Sequence, residues 1–394
     1  MKLTFSSADE AFREEVRGFL QHNLPPQLAE REAQGFHLRR ADYRDWHQIL
    51  HRQGWAAPGW PLECGGTGWT PVQRHIWDIE YGLANAPEIS IIGLGLVGPL
   101  ICAFGDERQK QHYLPKILNG DFYFCQGFSE TSAGSDLAQV RTKAVRDGDD
   151  YVVNGHKVWT SHAPDADFMI CLCRTDASVK PQKGLSMLII PMDAPGVTVR
   201  TIDTIDDAHS VSEVFLDDVR VPASERLGEE NMAWSYAKFL LNNERTHNAY
   251  IGMLKRYLHR LRLALGTPLS IHQGDSTQAA LRNRLSHLEI EIDALEWSVL
   301  RVLSSPPAKD SSAGASALKV TASDLLLRTS ELELDILGNE CLPRFDSDTA
   351  MPLPAGASAQ APGKVPQYLY WRASSIFGGA NDIQRSIIWN TLYR

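Results

Sequence analysis

Apolar residues near the start of the chain recur with helical spacing. Phe12, Val16, Phe19 and Leu20 fall at i, i+4, i+7 and i+8, and Ile76, Ile79 and Leu83 repeat the spacing, which predicts amphipathic helices packed face to face. Between them lies Gly54-Trp55-Ala56-Ala57-Pro58-Gly59-Trp60-Pro61. Pro and Gly end helices, so this run is expected to be a surface connection. From about Phe122 the period shortens to two residues, as half-buried strands require. Asn154-Gly155 sits between alternating apolar residues of Tyr151–Trp159 and predicts a hairpin turn, because both residues tolerate positive φ. Apolar runs at Phe168 to Leu172, Leu185 to Ile190 and Val214 to Leu216 predict further strands. After Pro222 the helical pattern returns. Leu281, Leu285, Leu288, Ile292 and Leu295 form one stripe and Leu325 to Leu337 another, while Met351 to Pro366, rich in Pro, Gly, Ala and Ser, predicts a flexible loop. Helices, then strands, then helices make an α+β chain.

At 394 residues the chain exceeds what one hydrophobic core usually supports, so two or three cooperating layers are expected. The net charge of −9 argues against a partner with a phosphate backbone, since a nucleic-acid binder shows a basic stripe. Met1-Lys2-Leu3-Thr4-Phe5-Ser6-Ser7 lacks a charged region followed by a long apolar run, and no later stretch is apolar enough to span a bilayer. The reading is a soluble, cytoplasmic protein with no membrane partner. Cys64, Cys102, Cys125, Cys171, Cys173 and Cys341 are scattered through apolar stretches, as reduced, buried thiols usually are. Cys171 and Cys173 share a strand face, but no second metal-spaced pair accompanies them and no metal site is expected.

Two segments carry candidate chemistry. Gly127-Phe128-Ser129-Glu130-Thr131-Ser132-Ala133-Gly134-Ser135-Asp136 combines small residues, which let backbone N–H groups approach a phosphate, with hydroxyls that can bond a ring or a pyrophosphate. Alone, its Ser129–Asp136 part reads better as a solvated turn, and Trp159 alone reads as a core residue. The second segment is Ile376-Phe377-Gly378-Gly379-Ala380-Asn381-Asp382-Ile383-Gln384-Arg385. Together, and with Lys157-Val158-Trp159-Thr160-Ser161 in order between them, they resemble the acyl-CoA dehydrogenase family over nearly the whole chain.

The resemblance implies an N-terminal helical domain (1–121), a middle β-barrel domain (122–230) and a C-terminal four-helix bundle (231–394), with FAD as cofactor. Phe128 and Ser129 would border the flavin, Gly134 and Ser135 would approach its pyrophosphate, and Trp159, Thr160 and Ser161 would lie against its ring. Arg262-Leu263-Ala264-Leu265-Gly266 followed by Gln273 resembles the segment with which one subunit reaches its neighbour's flavin, and Gly338-Asn339 resembles a turn near the adenine. Ala380 and Asp382 complete the implied cofactor set. Ser135, Asn242, Arg245 and Gly379 are implied at the substrate. Thr131 and Ser132 stand where the family usually has Pro-Gly, and Leu265 where it has Phe.

Family members place their carboxylate base either in the last signature or on the long helix after the β domain. The first position is Gly378, which cannot accept a proton. The second falls at Glu244 in Leu240-Leu241-Asn242-Asn243-Glu244-Arg245-Thr246, as in isovaleryl-CoA dehydrogenases and some bacterial steroid side-chain dehydrogenases. A Glu-Arg pair on a helix is otherwise an exposed charge pair. The implied reaction is α,β-dehydrogenation of an acyl-CoA to the 2-enoyl-CoA, with electrons passed to an electron-transferring flavoprotein. A homodimer or homotetramer is implied, and a heterotetramer is compatible. Two other readings stay open: a catalytic or non-catalytic subunit of a heteromeric dehydrogenase, and a family oxidase or flavin monooxygenase.

Overall fold

A computed structural model describes residues 5–243, 249–266, 275–304, 312–343 and 360–393. The chain forms two compact units, each assembled from separate stretches of sequence.

The helical unit lies within the spans Met1–Leu38, Trp69–Pro87 and Glu244–Arg394. Its helices α1 (Ser7–Asn23) and α4 (Pro71–Leu83) each begin at a capping box: Ser6 with Asp9, and Thr70 with Gln73. Phe12, Val16 and Leu20 bury the apolar face of α1, and α1 packs on α4 as the spacing predicts. Arg13 and Arg17 of α1 reach the buried Glu80 of α4 at 3.4 and 2.8 Å. Helix α8 (Ile251–Leu265) crosses α4 so closely that a Cβ on Gly82 would lie 2.3 Å from the carbonyl oxygen of Gly252. Both positions need glycine for that reason. Helices α9 (Asp275–Ser304) and α10 (Ser312–Leu337) close the core on the predicted stripes, with Leu285, Leu288, Ile292, Leu325 and Leu326 buried. Helix α11 (Lys364–Trp371) follows, and its Trp371 indole donates to the Tyr257 hydroxyl at 2.7 Å. Residues 351–359 of the predicted loop lie outside the described residues. Its end differs from expectation, since Lys364-Val365-Pro366 already forms the first turn of α11, where a proline costs no helical hydrogen bond. Helix α12 (Asn381–Tyr393) ends the unit.

The second unit carries the sheet and lies within Arg39–Gly68 and Glu88–Asn243. Strands β1 (Phe124–Gly127), β2 (Lys143–Asp147), β3 (Asp150–Ser161), β4 (Phe168–Arg174), β5 (Leu185–Pro191), β6 (Val197–Thr201), β7 (Val211–Pro222) and β8 (Arg226–Leu227) form one mixed sheet in the order β6-β7-β3-β2-β4-β5-β8, with β1 pairing β4 in parallel. Strand β4 is buried on both faces. Met169, Cys171 and Cys173 point into one core, and Ile170 and Leu172 into another that includes Leu100, Ile101, Tyr113 and Ile117 from α5 (Gly98–Phe104) and α6 (Glu107–Leu118). Helix α7 (Ala233–Asn243) ends the unit's sequence.

Three expectations change here. Asn154-Gly155 makes no hairpin turn, because β3 runs straight through it. The Asn154 side chain instead exchanges two 2.9 Å hydrogen bonds with Asp218 across a register shift, and Gly155 is held against the Thr142 side chain. The Gly54–Pro61 run is not a surface connection. Trp55, Ala56, Ala57 and Trp60 are buried, and the Trp60 indole donates to Leu94 O at 2.6 Å while stacking where a Gly98 side chain would be. Its two tryptophans outweigh the turn residues around them. Of the thiols, Cys64 and Cys102 are only half-buried.

Candidate active site

In the sheet-bearing unit, the Gly127–Asp136 segment leaves β1 and turns back beside β3. Val158 N–H donates to Ser129 O at 3.0 Å, and Glu130 and Ala133 exchange backbone hydrogen bonds of 3.1 and 3.0 Å. The turn is solvated only at its tip: Thr131, Ser132, Gly134, Ser135 and Asp136 are exposed, whereas Phe128, Glu130 and Ala133 are buried. The Glu130 carboxylate accepts from Arg141 N–H at 2.7 Å, from Thr142 N–H at 2.9 Å and from the Thr142 hydroxyl at 2.7 Å. It also meets the Lys157 ammonium at 2.8 Å. Lys157, with no exposed surface, donates further to Leu172 O at 2.7 Å and Phe128 O at 3.2 Å. Burial pushes the Glu130 carboxyl up, but the Lys157 charge and the donated hydrogen bonds outweigh it and hold the group below its ordinary value.

Trp159 is not a core residue. It lies at the second register shift of β3, at φ +59°, with 61 % of its surface exposed. A bulky side chain in the left-handed region costs about 1–2 kcal/mol, and such strain concentrates where a surface is built to meet something. Ser161 is half-buried beside it. Thr160 is fully buried with its hydroxyl unpartnered, so the outward face of this stretch belongs to Trp159 and Ser161. A Cβ on Gly134 would touch nothing within 4 Å, so no packing within the chain requires glycine there.

In the helical unit, Gly338 ends α10 at φ +58°. Gly378 and Gly379 are both left-handed, at φ +63° and +85°. The turn they form is clamped: the Gln384 amide donates to Gly378 O and Gly379 O at 3.3 and 3.4 Å and accepts from the Ser316 hydroxyl at 2.7 Å. Asn381 accepts from the buried Lys319 at 2.9 Å. Ala380 is half-buried. Asp382 is exposed and paired with Arg385 at 3.1 Å. The Arg262 guanidinium is exposed and bonds Glu289 at 2.6 Å. Glu244, Arg245 and Gln273 lie outside the described residues, as does the side chain of Asn242.

Residues 6–121, 125–219 and 231–393 match, in turn, the N-terminal, middle and C-terminal domains of acyl-CoA dehydrogenases. The chain is 34 % identical to the acyl-CoA dehydrogenase FadE26 of Mycobacterium tuberculosis, over 98 % of this chain and 97 % of the relative. It belongs to the acyl-CoA dehydrogenase family. Among solved structures it superposes on the ChsE4-ChsE5 complex of M. tuberculosis with a TM-score of 0.82 and 31 % identity, covering 99 % of this chain and 98 % of the other. The Tcur3481-Tcur3483 steroid dehydrogenase gives a TM-score of 0.82 at 29 % identity, with 99 % and 98 % covered.

The protein is therefore an FAD-dependent acyl-CoA dehydrogenase, an oxidoreductase of CH–CH bonds. Its residues suit the cofactor: an exposed, strained indole offers a flat apolar face, and open space over Gly134 admits a bulky anion to the main chain. Among the described residues no helix is long and apolar enough to cross a membrane. The pair the sequence reading missed is Glu130–Lys157. Its signal was a lysine in the apolar alternation of β3 and an acid set among Ser, Thr and Gly.

Proposed function

We propose that this dehydrogenase removes the α-proton and β-hydrogen of a CoA thioester bearing a bulky, ring-containing acyl group, with Glu244 as the base. The observation that carries the base assignment is the Gly378-Gly379 turn: both residues are left-handed and side-chain-free at the family's alternative base position. Glu244 directly follows α7, at the family's other base position. The steroid dehydrogenase among the structural relatives supports a polycyclic acyl group.

A thioester α-proton is far too weakly acidic for a free carboxylate. Donors to the thioester oxygen and a desolvated base must lower that barrier together. Bound FAD supplies the hydride acceptor for the β-hydrogen. Trp159 would present a face to the flavin ring, the Ser129 and Ser161 hydroxyls would donate to the cofactor, and Gly134 and Ser135 would offer main-chain N–H groups to its pyrophosphate. Electrons leave to an electron-transferring flavoprotein, and the enzyme works as a dimer or tetramer with itself or a second family chain. The two-component relatives and the exposed Trp389, Leu392 and Tyr393 of α12 support assembly.

Anaerobic bleaching of the flavin by straight-chain, branched and steroid side-chain acyl-CoA esters tests the reading. The steroid esters are expected to bleach fastest, and fastest bleaching by a short straight chain overturns the acyl assignment. Rapid turnover in air without an added acceptor would favour an oxidase. Light scattering of the holoprotein reads the assembly directly.

A further inference from the structure

The Gly127–Asp136 loop exposes Thr131, Ser132, Gly134 and Ser135 at its tip, closes on itself through the paired backbones of Glu130 and Ala133, and is fixed at both ends. At the near end Lys157 spans Phe128 O, Glu130 and Leu172 O, and Glu130 in turn gathers the N–H groups of Arg141 and Thr142. At the far end the Arg174 guanidinium donates to Ala138 O at 2.5 Å, Val140 O at 3.1 Å and Pro181 O at 2.6 Å. Lys157 is also the residue before Val158, whose N–H bonds Ser129 O, and lies two before the strained Trp159. One buried ammonium thus joins the loop to the β3 bulge.

We propose that Glu130 and Lys157, with Thr142, are positioning residues for the cofactor: they set the Ser129 loop against the Trp159 bulge so that hydroxyl and indole meet one flavin. This rests on the reading that Ser129 and Trp159 flank the ring. The argument is geometric. A three-way hydrogen-bonded cation in a dry interior has a single arrangement, because each donor left unpaired is costly to bury. Any shift of the loop relative to β3 must break one of those bonds. The pair also neutralises a carboxylate inside the loop that meets the pyrophosphate, where a bare negative charge would repel the anion.

The test compares Thr142→Val with the charge-neutral double variant Glu130→Gln/Lys157→Met, both as full-length protein. Thr142→Val keeps the shape of the side chain and removes only the hydroxyl bond to Glu130. It is expected to leave the apoprotein melting temperature near that of wild type, to raise the FAD dissociation constant about threefold to tenfold, and to alter the shape of the bound flavin's visible band. The double variant is expected to weaken FAD by more than tenfold. Wild-type affinity and an unaltered flavin band in Thr142→Val and in any folded double variant overturn the positioning role. Ser129→Ala and Trp159→Phe are the separating controls. If they leave the flavin band unchanged while Thr142→Val alters it, the flavin-face reading fails and the loop acts elsewhere on the cofactor. If they alter it and the network variants do not, the proposal fails alone.

Discussion

In the sheet-bearing unit the pair Glu130–Lys157 is buried at the root of an exposed loop, and its charges balance. In the helical unit three buried cations gather on shared carboxylates: Arg256 meets Glu32 at 2.6 Å, and Arg260 meets Glu333 at 3.0 Å with Lys364 3.6 Å from the same carboxylate. Burial pulls the Lys364 ammonium down to about 7, and Arg260 beside it acts in the same direction. Glu333, despite its burial, is held below the ordinary carboxylate range by Arg260 and Lys364. Arg260 and Lys364 also both donate to Ala33 O, near the end of the helix Pro26–Gln34, and so tie sequence-distant helices together. A balanced pair near an exposed loop can orient something. A cluster of shared charges deep among helices holds the helices themselves.

That contrast is breakable. Glu333→Leu removes a carboxylate that Arg260 and Lys364 share, and breaking a buried pair typically costs about 3–5 kcal/mol. Its urea midpoint is expected to fall further than that of Lys157→Met, because the orphaned Glu130 keeps three other donors. Equal losses would erase the distinction between the two units. Glu244→Gln is expected to retain FAD and fold while acyl-CoA-dependent flavin reduction drops about a hundredfold or more, the scale of a lost general base. Stopped-flow bleaching measures this, and a wild-type rate removes Glu244 from the mechanism.

Glycines sharpen the comparison at smaller amplitude. Gly378→Ala places a side chain at φ +63° and is expected to lower stability by about 1 kcal/mol. Gly134→Ala meets no strain and no neighbour, so the apoprotein should melt as wild type does while FAD binds several-fold more weakly. Calorimetry with and without FAD separates the two. The smallest expected effect concerns Lys319, which burial lowers to about 8. Its folded value lies below the unfolded one, so the folded state binds fewer protons and this group's contribution to stability rises with pH between about 8 and 10.5. Lys319→Met should flatten that rise. An unchanged slope in chemical denaturation across that window would remove Lys319 as its source.

The helical stripes and the alternating strands were legible because burial on one face writes a period into the sequence, as Phe12-Val16-Leu20 and Leu281–Leu295 do. What sequence obscured was tertiary. Trp55 and Trp60 are buried by neighbours that no local window contains, and Asn154-Gly155 is kept in a strand by a partner 64 residues away. Likewise, nothing local to Trp159 announces a bulge that turns its indole outward. The resemblance supplied the loop and signature residues. The ion pair under the loop needed coordinates, since Glu130 and Lys157 are 27 positions apart and each reads alone as a surface charge.

The Gly378-Gly379 turn bears on how such enzymes diverge. Glycine and glutamate codons can differ by a single base, so a carboxylate at position 378 is one mutational step away. The left-handed backbone and the Gln384 clamp make that step arrive with strain before it confers any chemistry. A carboxylate at this turn is therefore opposed by the backbone itself, in two residues with no side chains at all.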